Sequence, residues 1–198
     1  ENPANGALLD YWVRESGTVV ELTVLDSAGR TVQTLKPTSV RGVNRIVWNL
    51  RYADLPIRSG GGEDDDAGPS ATTPGPLVLP GTYTVRLSVS GATQQQRVVV
   101  KEDPRVTASR AERAAWTAFH REIAALATLH ASTAERWRAM TGTDAATRDG
   151  KRQASELSAR ISGLYGAVAR YTGAPTSDQR SELRFYTRMA AELGKAGR

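Results

Sequence analysis

Two rhythms of apolar spacing divide the chain. Up to Asp103, apolar and polar residues alternate with period two, the spacing that sends successive side chains to opposite faces of a strand. Beyond Pro104, apolar residues recur at intervals of three and four, the spacing that lines one face of a helix. The alternating part predicts strands over 7–13, 18–26, 30–36, 43–50, 81–90 and 93–101. In the second of these, Val20, Leu22 and Val24 share one face, while Val19, Glu21, Thr23 and Leu25 share the other. The polar members of the second set make the first the expected core face. Asp26-Ser27-Ala28-Gly29 and Ser90-Gly91 carry turn chemistry between consecutive strands.

The helical part opens on Ser109-Arg110-Ala111-Glu112, where the Ser hydroxyl and Glu carboxylate are spaced to satisfy free backbone N–H groups reciprocally. Trp116, Phe119, Ile123, Leu126, His130, Thr133, Trp137 and Met140 then follow a 3-4 repeat, which Thr141-Gly142-Thr143-Asp144 interrupts. Leu157, Ile161, Leu164, Val168 and Tyr171 mark a second helix, ended by Thr172-Gly173-Ala174-Pro175. Thr176 and Gln179 are a second capping pair. Leu183, Tyr186, Ala190 and Leu193 mark a third helix, with Phe185 and Met189 predicted to widen its stripe. Helices of about 30, 25 and 20 residues joined by short turns predict up-down-up packing.

The expected fold class is therefore α+β in two domains. Residues 1–103 form an antiparallel Ig-like, fibronectin-like β-sandwich, and 104–198 an antiparallel three-helix bundle. The sandwich is interrupted at 58–76, rich in Gly, Pro and acid, which reads as a mobile acidic loop because it has too little apolar surface to order itself. Within it, Asp64, Asp65 and Asp66 are candidate calcium ligands, since Ca²⁺ takes several carboxylate oxygens. Calcium loops space their ligands at alternate positions around a defined Gly, so adjacent aspartates fit a solvated loop better.

Composition narrows the classes of function. The 198 residues carry 26 Lys+Arg against 21 Asp+Glu and no Cys, which removes thiol nucleophiles, disulfides and thiolate metal sites. No apolar run approaches the roughly 20 residues that cross a bilayer. Residues 1–104 hold 10 Lys+Arg against 12 Asp+Glu, and residues 105–198 hold 16 against 9, so the basicity lies in the helical half. There Arg110, Arg113, Arg121, Arg136 and Arg160 alternate with Glu112, Glu122, Glu135 and Glu156. Mixed charge of this kind describes a solvated helix surface rather than a phosphate-tracking stripe, and no nucleic-acid partner is expected. Glu1 and the following Asn2-Pro3-Ala4 lead us to expect a piece of a longer polypeptide.

Catalytic chemistry finds no footing in the spacing. His120 and His130 lie ten residues apart on one helix, about 80° and about 15 Å from each other, too far to share a metal through that helix. His130 falls on the seam beside Thr133, where it reads as a polar layer fixing register, and His120 reads as solvent-facing. Gly60-Gly61-Gly62 is followed by acids and would repel phosphate. Neither a catalytic set nor a cofactor is expected. Trp12, Trp48 and Tyr52 are candidates for contact with a partner or a carbohydrate, and Trp137 for contact with a partner.

Several strings resemble the C-terminal region of bacterial sortilin-like, neuraminidase-repeat β-propeller proteins, often labelled glycosyl hydrolases. They are Asn2–Tyr11, Leu25-Asp26-Ser27-Ala28-Gly29-Arg30, Gly42–Tyr52, Pro80–Leu87, Asp103-Pro104-Arg105-Val106 and Leu164-Tyr165-Gly166-Ala167-Val168 with Ala174-Pro175-Thr176. The strand half is also similar to the Ig-like domain of flagellar hook-capping proteins, through the Asp-x-x-Gly turn, Asn44 with Trp48, and Pro80-Gly81-x-Tyr83. The resemblance implies a noncatalytic accessory region of an exported, secreted or periplasmic protein. It would pack against an upstream β-propeller and present a helical face for homo-oligomer formation or another protein. A carbohydrate- or surface-binding module, or a domain lending a loop to a neighbouring glycosidase site, are the alternatives it leaves.

Overall fold

A computed structural model describes residues 5–56, 73–169 and 173–197. Among them the strands are β1 (Ala7–Val13), β2 (Val20–Leu25), β3 (Thr31–Leu35), β4 (Gly42–Trp48), β5 (Gly81–Val89) and β6 (Ala92–Val100). The helices are α1 (Arg110–Ala139), α2 (Ala145–Ala169) and α3 (Ser177–Ala196). The fold is α+β. Its two antiparallel sheets have the orders β1-β4 and β3-β2-β5-β6.

The turns form for local reasons. Asp26 Oδ1 accepts from the N–H groups of Ala28 and Arg30, both at 2.9 Å, while Gly29 takes φ 76°, so the β2–β3 connection closes on its own side chain. Ser90 and Gly91 both have positive φ, 48° and 86°, the two-residue hairpin geometry that matches strand twist, and Val89 pairs with Ala92 across it.

The chain divides into two compact units, Glu1–Ala53 with Leu77–Thr107, and Asp54–Pro76 with Ala108–Arg198. In the first, Tyr11, Val13 and Trp48 from one sheet join Leu22, Val24, Val32, Tyr83 and Val85 from the other in a single apolar cluster. Trp48 is wholly buried, donates its indole N–H to the Arg51 carbonyl at 3.1 Å and meets Tyr83 edge to face at 5.3 Å. Asn44 is also buried. Its side chain accepts from Thr38 Oγ1 and the Val40 N–H and donates to the Val40 and Gly42 carbonyls, so one amide satisfies the backbone of the β3–β4 connection.

In the second unit all three helices contribute to one core. Ser109 and Glu112 close a capping box on α1, as do Thr176 and Gln179 on α3. Seam residues Trp116, Phe119, Ile123, Leu126, Trp137, Leu157, Ile161, Leu164, Val168, Leu183, Tyr186, Ala190 and Leu193 are buried together, whereas Tyr171 lies outside the described residues. Phe185, expected to widen the α3 stripe, is 44% exposed, because position 185 falls on the solvent side of Tyr186. Leu55 joins this core from between β4 and β5: its N–H donates to the Thr73 carbonyl at 2.8 Å, and Tyr165 Oη donates to the Pro74 carbonyl at 2.8 Å. Residues 73–76 of the expected acidic loop, together with 54–56 ahead of it, are thus part of the helical unit, and 57–72 lie outside the described residues.

Candidate functional site

Alternation along β1 and β4 places two sets of side chains on opposite faces. Tyr11, Val13, Asn44 and Trp48 turn into the core, while Leu8, Asp10, Trp12, Val43, Arg45 and Val47 are exposed. The exposed set forms three rungs in register, Leu8 opposite Val47, Asp10 opposite Arg45, and Trp12 opposite Val43. Trp12 is 60% exposed and Val43 76%, so among the described residues the sheet carries an uncovered apolar face. Its middle rung is a two-pronged ion pair, with Arg45 Nε 2.7 Å from Asp10 Oδ1 and Nη2 2.9 Å from Oδ2. The hydrogen bonds from Arg45 hold the Asp10 carboxyl below its ordinary pKa, and those to Asp10 raise the guanidinium's.

Beside this face a cleft of about 400 Å³ is lined by Trp12, Arg14, Glu15, Thr18, Leu87 and Gln94, among others. It lies between the end of β1 and the tip of the β5–β6 hairpin. The helical unit has a smaller hollow of about 140 Å³ lined by Gln153, Met189 and Glu192. Its exposed large apolar side chains among the described residues are Leu129 and Phe185.

The other aromatic candidates sit elsewhere. Trp48 is wholly buried and Tyr52 packs half-buried against the same cluster, so the core takes up both. Trp137, offered as a partner contact, is 7% exposed. Its indole N–H donates to the Leu193 carbonyl at 3.2 Å, and Gly150 lies so close that a Cβ there would overlap the ring. A ring caged in this way serves helix packing and offers a partner nothing. Asp64, Asp65 and Asp66 lie outside the described residues. Among the described residues no group of three His, Asp or Glu side chains converges as a metal site.

His120 departs from expectation. It is wholly buried rather than solvent-facing, its ring 4.1 Å from that of Tyr165 and 5.2 Å from that of Trp116. A position one step off the seam becomes core because α1 is covered on more than the seam's width, Thr117 and Ala124 being buried as well. His130 is buried at the seam with Thr133, and its Nε2 lies 2.9 Å from the Ala154 carbonyl. A carbonyl only accepts, so Nε2 carries the proton and the lone pair of the neutral ring sits on Nδ1.

Leu8, Val43 and Val47 were not among the candidates from sequence, although the signal was present. Ala7-Leu8-Leu9-Asp10-Tyr11-Trp12-Val13 is apolar at both parities, and a strand of that kind is either covered on both faces or leaves an apolar face bare. Among the described residues no helix is long and apolar enough to cross a membrane. No protein-family model matches the chain, and comparison with curated proteins and with solved structures returns no match.

Proposed function

We propose that this chain is a noncatalytic accessory module of an exported β-propeller protein, an Ig-like sandwich followed by a three-helix bundle, working by protein–protein contact. The observation that carries the reading is the bare face of the β1–β4 sheet, where Trp12, Leu8, Val43 and Val47 flank an ion pair. Large exposed apolar patches with an aromatic anchor are the composition of binding surfaces. Two further observations support the Ig-like part. Tyr83 Oη donates back to the Leu79 carbonyl at 2.7 Å, the hydrogen bond of a tyrosine corner, and the inner faces of two antiparallel sheets share one core.

The test is a titration of the chain with its proposed upstream propeller, produced separately. Binding is expected, and Trp12→Ala is expected to weaken it at least about tenfold, the effect of removing an aromatic anchor. Absence of binding, or binding indifferent to Trp12, would remove the reading.

The cleft beside Trp12 favours a carbohydrate-binding module as the second reading, because an exposed indole next to Arg14, Glu15 and Gln94 offers a stacking plane and hydrogen-bonding groups to a sugar. A glycan array probed with the whole chain separates the two. The loop-lending alternative concerns residues largely outside those described, and no observation favours it.

A further inference from the structure

We propose that the bare β1–β4 face docks a second copy of this chain, sheet on sheet, about a two-fold axis running parallel to the strands. It rests on the interaction-module reading and names a second copy as an occupant that competes with the propeller for the Trp12 face. The face complements itself in charge and in volume under that one operation.

Each rung holds two unlike members: a large and a small apolar side chain, Trp12 with Val43 and Leu8 with Val47, or an acid with a base, Asp10 with Arg45. Stacking two such faces leaves two choices of in-plane two-fold axis. An axis along the rungs sets Asp10 over the second copy's Asp10, Arg45 over its Arg45, and Trp12 over its Leu8. Like charges then oppose across the interface, and small residues face small ones at Val43 and Val47. An axis along the strands sets β1 over the second copy's β4. Asp10 then lies over its Arg45, Trp12 over its Val43 and Leu8 over its Val47, and all three rungs match at once. A closed two-fold contact requires this kind of self-matching patch. A face built for a strongly charged partner would instead carry one sign of charge. Aligned sheets stack about 10 Å apart, a gap these side chains fill from both sides.

Size sets the strength. Seven residues at about 3.4 Å each make a ribbon about 24 Å long and two strands wide, well under the roughly 800 Å² per partner of a standard interface. The dimer is accordingly a weak, concentration-dependent one, formed through the sheet and not through the helices.

Sedimentation equilibrium of the full chain from about 1 µM to about 1 mM spans the affinities of such transient interfaces. The wild-type mass is expected to rise toward twice the monomer. Asp10→Arg and Arg45→Asp each set like charges across the interface and are expected to stay monomeric throughout. Their equimolar mixture restores Arg over Asp on the middle rung and is expected to dimerise as the wild type does. Trp12→Ala, which keeps both charges, is expected to weaken association at least about tenfold. A wild type that stays monomeric, a mixture that does not associate, or a dimer indifferent to Trp12→Ala would overturn the proposal. If either charge variant proves misfolded by circular dichroism, Trp12→Ala and the wild-type series decide. Loss of self-association together with Trp12-dependent binding to the propeller would remove this inference and leave the interaction-module reading standing.

Discussion

At the scale of single residues, His130 shows how a polar group is kept inside an apolar seam and what it costs in acid. Burial lowers its pKa from the ordinary 6.5, and the hydrogen bond to the Ala154 carbonyl opposes that only in part. Below about pH 6.5 the unfolded chain therefore binds a proton that the folded chain resists. Stability is full above that value and is lost as the pH falls from it toward the depressed folded pKa. Urea unfolding of wild type and His130→Leu between pH 8 and pH 5 reads this directly. The wild type is expected to lose stability relative to the variant as the pH drops below 6.5. A constant difference across the range would show that His130 does not carry the effect. The seam position of His130 was legible because a 3-4 repeat fixes which way a side chain points. His120 was not, because one seam does not tell how many neighbours cover a helix.

At the scale of elements, alternation and turn residues located all six strands to within two residues of their ends, and the capping boxes Ser109/Glu112 and Thr176/Gln179 marked two helix starts. Each of these signals is local, several residues agreeing on one period or one cap. The contribution of Leu55 to the helical core has no such signal. One apolar residue followed by Pro56 sets no period, and its partners lie more than 60 residues downstream, so the segment reads as connection alone. The exposed face did leave a signal, apolar residues at both parities of β1, but alternation sorts them into two sets without telling which is covered. Leu55→Ala is expected to destabilise the helices by about 2–4 kcal/mol, the range for truncating a buried Leu, although it sits outside every helix. Tyr165→Phe, which removes the hydroxyl that donates to the Pro74 carbonyl, is expected to cost about 1 kcal/mol. Hydrogen exchange of the α1–α3 amides checks both, and protection unchanged in Leu55→Ala would show that Leu55 lends the helices nothing.

At the scale of the whole molecule, the division by contacts changes the meaning of the charge. Counted by position along the chain, the helical half is strongly basic. Counted by unit, Glu1–Ala53 with Leu77–Thr107 holds 10 Lys+Arg against 7 Asp+Glu, and Asp54–Pro76 with Ala108–Arg198 holds 16 against 14, so the two units are nearly equal. The acids counted within Asp54–Pro76 bring the second unit's net charge close to the first's, so net charge gives no support to reading the helices as a nucleic-acid surface. The chain passes between the units three times, after Ala53, Pro76 and Thr107, so a cut near residue 104 does not free a complete helical unit. A fragment of residues 108–198 lacks Leu55, Thr73 and Pro76, all buried in the whole chain, and leaves Tyr165 Oη without the Pro74 carbonyl. Losing a buried Leu and a hydrogen bond together removes several kcal/mol, which for a unit of this size lowers the melting midpoint by about 10 °C or more. Far-UV circular dichroism of the fragment is expected to show that drop relative to the helical transition of the whole chain, and an added 54–76 peptide is expected to reverse part of it. If the fragment melted with the whole chain and ignored the peptide, the helices would be sufficient by themselves, and the segment between β4 and β5 would be only a passenger on their surface.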